Sequence, residues 1–211
     1  MLNAEQREER KTQIGASEVS KLFNFDTKAA QDLYKEKTGL LEPKELDSKY
    51  IQAGNILEEP CISFYLKTHE IKNYAFNERI EHKTIKGFVA SLDCRVLDEE
   101  KYPLENKTMK LDRFMELKEV PREYVIQCHA QISCADTHTA KLLINTLTEE
   151  EVENPLLYVP ADFKQHEFII EKNAELIKEI ESRVSYMLWC MRTGWRPTES
   201  NYLERKMFSE I

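Results

Sequence analysis

A chain of 211 residues, 41% of them hydrophobic and 9% aromatic, is long enough to bury a full core as a single domain over 1–211. Its formal net charge of -8 argues against a broadly basic nucleic-acid binder but leaves room for a local basic groove. No apolar run reaches membrane-spanning length, and the opening MLNAEQREERKTQ is charged where a signal peptide needs an apolar core, so a cytoplasmic location is expected.

In chain order, ASEVSKLFNF (16–25) reads as a helix, and a second runs from about 28 to 38 and closes at Gly39. A third begins near Ile51. There Ile56, Leu57, Phe64 and Tyr65 recur near helical spacing, predicting one buried face with Glu58 at its margin. Residues 74–82 alternate weakly, whereas FVASLDCRVLD after Gly87 is a stronger strand candidate. DEEKYP supplies a polar turn and PLENKTM a partner strand, followed by a helix over 122–136. AKLLINTLT and YVPADFKQHEFIIEK offer two further strands, and an amphipathic helix from about 171 to 193 ends at Gly194. The expected fold class is α/β (α+β), a mixed central sheet flanked by helices.

Five cysteines, Cys61, Cys94, Cys128, Cys134 and Cys190, are scattered and form no C-x-x-C pair. That spacing argues against a zinc ribbon, an iron–sulfur cluster or a disulfide framework, and predicts buried reduced thiols. His69, His82, His138 and His166 show no ligand spacing. Trp189 and Trp195 read as core or subunit contacts, and LTEEEVENP as a solvated segment. Tyr124, at helical spacing from Gln127, reads as packing beneath a site.

The chemistry concentrates around PLENKTM. In a strand, Glu105 and Lys107 share one face while Leu104 and Asn106 take the other. Asp93 precedes the turn, so the hairpin can bring Asp93 and Glu105 together beside Lys107. Two carboxylates converging without enough neutralising neighbours suit a hard divalent cation, Mg²⁺ or Mn²⁺. Such an ion polarises a phosphodiester or activates a water, and a lysine can orient that water or stabilise developing charge. On spacing alone, a solvated charged strand is the favoured reading over this one.

Five stretches in order, RKTQIGASEVSKLF, AGNILEEP, FVASLDCRV, LENKT and VPREYVIQCHAQ, resemble the YqaJ/lambda exonuclease family of the PD-(D/E)xK nuclease superfamily. The resemblance implies metal-binding acids at Asp93 and Glu105 and a catalytic lysine at Lys107. It also implies a helical glutamate at Glu58, with neighbouring Glu59 as a rival, and the backbone carbonyl of Asn106 as a further ligand. Gln127 matches the first glutamine of a supporting helix; the second position is His129, a departure from the pattern. A 5′-phosphate pocket is implied at Arg10, Ser17, Ser91 and Arg113, whose hydroxyls and guanidinium groups suit phosphate oxygens.

The resemblance therefore predicts a Mg²⁺-dependent exonuclease, with Mn²⁺ as substitute, digesting linear double-stranded DNA 5′→3′ from phosphorylated ends. It further implies a homotrimeric ring and a single-strand annealing recombinase as partner. The alternatives are an endonuclease with the same site and a non-catalytic DNA-binding remnant.

Overall fold

The structure, a computed structural model, describes residues 10–42 and 48–209; the charged stretch 1–9 lies outside them. Strand β1 (Ile14–Gly15) leads into a 3₁₀ helix, Ala16–Phe23, where a regular helix was expected. Glu18 accepts from the Gly15 amide at 2.8 Å, which closes the tighter turn. Helix α1 (Lys28–Lys37) is capped by Thr27, whose hydroxyl accepts from Ala30 N, and Gly39 follows it at φ +75.

Helix α2 (Lys49–Thr68) buries Ala53, Leu57, Cys61 and Tyr65, a stripe of every fourth residue. Ile56, expected on that face, is 49% exposed because the stripe runs one residue away. Strands β2 (Tyr74–Glu81), β3 (Phe88–Val96) and β4 (Tyr102–Lys110) follow, then the short helix α3 (Leu111–Met115) and helix α4 (Arg122–Ala135).

Strand β5 (Thr139–Leu147) precedes helix α5 (Glu149–Glu153), formed from part of the acidic segment read as solvated. Glu151 is buried there, accepting from Thr148 N at 2.9 Å and paired with Lys164. Of the predicted strand from Tyr158, only β6 (Gln165–Glu171) forms, preceded by a 3₁₀ turn over Asp162–Lys164. Helix α6 (Ala174–Thr193) ends at Gly194 as expected, and a further helix, α7 (Glu199–Ser209), was not anticipated. Its anchor is tertiary. Buried Arg183 of α6 donates to both Glu199 oxygens, at 3.1 and 2.8 Å, and to Leu22 O at 2.8 Å.

The six strands make one mixed sheet. Val89 pairs with both Gly15 and Glu81, and Cys94 with both Phe76 and Leu104. Strand β2 therefore runs along one edge of β3, while β1 and β4 share the other edge at opposite ends. Between them, from Ala90 to Asp93, that edge pairs with neither strand. Beyond the gap β4 pairs in parallel with β5, and β5 antiparallel with β6.

Helices α4 and α6 cover one face, where Phe88, Ala90 and Leu92 join Ile126, Ala130 and Val184. Helix α2 covers the other, where Ile62 and Tyr65 pack on Cys94, Leu104 and Leu143. Leu92 and Cys94 should share a face by the period of two, yet they join different clusters. On β2 the same happens to Ile80 and Phe76. The break falls at Asp93 and at Asn77, its counterpart in register, and Asn77 has a left-handed φ of 55.

All five cysteines are free and buried, in line with the reading of reduced thiols. Among the described residues no helix is long and apolar enough to cross a membrane.

Candidate active site

The unpaired edge of β3 opens into a cleft of about 430 Å³. Its walls include the three strands that part there and the 3₁₀ helix after β1: Gly15 on β1, Ser17 on that helix, Ser91 and Asp93 on β3, Glu105 and Lys107 on β4. The backbone of β4 is bound to β3 across the gap by a side chain in place of a ladder bond. Oδ2 of Asp93 accepts from the Asn106 amide at 2.8 Å.

Glu105 and Lys107 share a face as the strand period requires, with Lys107 Nζ 2.5 Å from Glu105 Oε1. Glu105 is only 1% exposed, and helix α4 completes its partners. Gln127 Nε2 donates to Oε1 at 2.5 Å, and Gln131 Nε2 donates to Oε2. Gln131 escaped the sequence reading, which looked two residues beyond Gln127. A helix brings i and i+4 to one face. His129 is buried elsewhere, its Nδ1 2.8 Å from Val125 O. Tyr124 lies on the site side of the same helix, its ring 5.6 Å from Lys107 Nζ.

Glu58 is half-buried on α2 while Glu59 is exposed. Burial first, and then the charge of Glu105, raise the Glu58 pKa, while Lys107 offsets part of the shift. Gly54, one turn earlier, permits this approach of helix to strand: a Cβ there would stand 3.3 Å from Thr108 Oγ1 on β4. Asp93 is held well above the usual carboxylate range, by burial and then by the charges of Glu105 and Glu58. For Lys107 burial opposes the charge, but the carboxylate of Glu105 outweighs it and the pKa rises.

Among the described residues no three His, Cys, Asp or Glu side chains are grouped as a metal site. The donor set nonetheless has the chemistry of one. Glu58 and Asp93 both hold their protons more tightly because burial and the charge of Glu105 outweigh the relief from Lys107, and a divalent cation would relieve that excess.

Of the four residues matched to a phosphate pocket, Arg10, Ser17 and Ser91 line the cleft. Arg113 is exposed on α3 and is not part of the lining. Two cations absent from the sequence reading also line it. Lys37 pairs with Glu18 at 2.8 Å, and Arg79 of β2 donates to Gln13. Both come from segments far from the motifs, so spacing carried no signal of them.

The fold has solved relatives. An alkaline exonuclease (LHK-Exo) from Laribacter hongkongensis is 23% identical, with a TM-score of 0.71 and 96% of each chain covered. LHK-Exo in complex with dAMP gives 22%, a TM-score of 0.73, and 99% of this chain against 100% of that one. A phage related exonuclease from Haemophilus somnus 129PT gives 19%, a TM-score of 0.64, and 85% against 93%. At these identities the likeness is one of fold. Among curated proteins no sequence matches significantly. The profile of the YqaJ-like viral recombinase domain matches residues 5–138, more than half of the chain. With that match spanning the cleft, the acids of β3 and β4 and the supporting helix, the chain belongs to the YqaJ-like viral recombinase domain family.

Proposed function

We propose that this protein is a divalent-metal-dependent deoxyribonuclease that digests linear double-stranded DNA from 5′ ends. The observation that carries the reading is the convergence of Asp93, Glu105, Lys107 and Glu58 beside a cleft lined by Arg10, Ser17 and Ser91. Solved neighbours of the same fold are described as exonucleases, and one was determined with dAMP, a nucleoside monophosphate.

In this reading Glu58, Asp93 and Glu105, with the backbone carbonyl of Asn106, would hold Mg²⁺, with Mn²⁺ as a substitute. When bound, such an ion supplies Lewis-acid stabilisation of phosphoryl and leaving oxygens. Gln127 and Gln131 hold Glu105 in one orientation. Lys107, kept protonated by Glu105, acts as a cation that orients water and steadies charge on the phosphate, and is ill suited to remove a proton. Arg10, Ser17 and Ser91 grip the 5′-phosphate exposed by each cut, with Arg79 and Lys37 adding positive charge to the cleft. Arg113 joins that grip only if α3 moves toward the cleft.

The assembly expected is a trimeric ring around DNA, its cleft residues inward and its acidic balance outward, working with a single-strand annealing recombinase. The test follows linear duplex DNA bearing a 5′-phosphate or a 5′-hydroxyl, with Mg²⁺ or with EDTA, beside a covalently closed circle. Mg²⁺-dependent loss of the linear DNA, faster with the 5′-phosphate, is expected. Cutting of the circle points to an endonuclease, and no cleavage with either Mg²⁺ or Mn²⁺ overturns the nuclease reading.

A further inference from the structure

Between Glu105 and Lys107 stands Asn106, on the opposite face of β4 and 8% exposed. Its amide N–H holds Asp93, so a rotation of this residue moves both strands of the site. Its side chain is itself held. Asn145 of β5, fully buried, donates from Nδ2 to Asn106 Oδ1 at 2.7 Å and, more distantly, to Lys107 O at 3.4 Å. Oδ1 of Asn145 accepts from Gln165 Nε2 at 2.9 Å and from the Tyr158 hydroxyl at 3.5 Å. The Gln165 amide also donates to Cys61 O at 3.1 Å, in the helix that carries Glu58.

A row of amides thus ties α2 to β6, β5, β4 and β3, passing through the residue between Glu105 and Lys107. A carboxamide at zero exposure is costly unless its hydrogen bonds are made, and leucine would fill the same space without that requirement. What the amide adds is a single preferred register and rotamer, since its bonds form in one arrangement only.

We infer that Asn145, supported by Gln165, is a positioning residue for the Asn106 segment and, through it, for Asp93, Glu105 and Lys107. It reaches no substrate; it acts through Asn106. The inference rests on the nuclease reading for its catalytic consequence but not for its structural one.

The test compares the intact protein with Asn145→Leu and Gln165→Met. In each, the hydrogen exchange of the Asn106 amide is followed by NMR, and kcat and KM are measured per folded molecule on linear duplex DNA with Mg²⁺. Expected are a loss of Asn106 protection of about tenfold or more and a fall in kcat of about 10–100-fold, with KM unchanged. Gln165→Met, which leaves Asn145 in place, gives the same pattern more weakly and serves if Asn145→Leu fails to fold. Wild-type protection of Asn106 in a folded variant overturns the inference. So does a lowered Tm with kcat intact, which marks a merely structural role. If the unsubstituted protein cuts no DNA, the nuclease reading fails alone, and the exchange of Asn106 still decides the positioning.

Discussion

The backbone amide of Asn106 donates to Oδ2 of Asp93 at 2.8 Å, just beyond the last ladder pair of β3 and β4, Cys94 with Leu104, Asp93 lying one residue and Asn106 two residues from it. The two strands part there, and a side chain spans the opening that becomes the cleft. The same carboxylate is therefore a structural bridge and a member of the acidic cluster. Those roles conflict electrostatically, because the bridge requires burial and burial disfavours the charge.

That conflict sets a pH dependence. Asp93 and Glu58 both have folded pKa values raised above their unfolded ones. Their contribution to stability is complete below the ordinary carboxylate range, near about pH 4, and is lost as pH rises through the folded values. Without divalent metal, Asp93→Asn keeps an acceptor for Asn106 and removes the charge. Its Tm at pH 8 should exceed that of the parent by about 2–4 °C, a gain absent at pH 4. Thermal melts in EDTA at both pH values measure this, and equal melting at pH 8 contradicts it.

Gln131 is fully buried and donates to Oε2 of Glu105. Gln131→Leu preserves volume and strands that oxygen, a cost of about 1–3 kcal/mol. With Glu105 free to turn, cleavage should fall by about 10–100-fold, more than for Gln127→Ala, because Oε1 retains Lys107 when Gln127 is lost. Denaturant midpoints and rates on the same preparations check both numbers. A Gln131→Leu protein as active as the parent removes the helix from the site's support.

Asn77 takes a left-handed φ of 55 opposite Asp93, where the side chains of both strands change faces. Asparagine tolerates that conformation and glycine adopts it freely, whereas a β-branched residue does not. Asn77→Gly should lie within about 0.5 kcal/mol of the parent. Asn77→Val should cost about 1–2 kcal/mol and lower cleavage, by forcing β2 and Asp93 toward regular alternation. Urea unfolding of the pair is decisive: equal stability would mean that the break is not held by this residue.

Arg183 joins helix α7 to the 3₁₀ helix Ala16–Phe23. Its guanidinium is buried against Glu179, Glu199 and Leu22 O. Arg183→Ala strips half-buried Glu199 of its cation, while Glu179 keeps Lys206, and should cost about 1–3 kcal/mol. Cleavage per folded molecule at low temperature should persist, since none of these groups lines the cleft. Calorimetry with an activity assay at 15 °C separates the two effects.

By itself the sequence determined whatever depends on neighbours along the chain. Alternation put Glu105 and Lys107 on one face, helical turn length aligned Gly54 with Glu58, glycines marked the ends after Lys37 and Thr193, and scattered cysteines meant buried thiols. Local periodicity is a property of the backbone, so it can be read before folding. Tertiary structure alone decided what depends on register between distant segments. It put Lys37 and Arg79 in the cleft and turned Gln131 rather than His129 toward Glu105. It also broke the strand period at Asn77 and Asp93, and linked Asn145 with Gln165 behind the site. Such contacts arise where strands splay and helices cross, and their geometry is set by the packing of the whole core rather than by any one stretch.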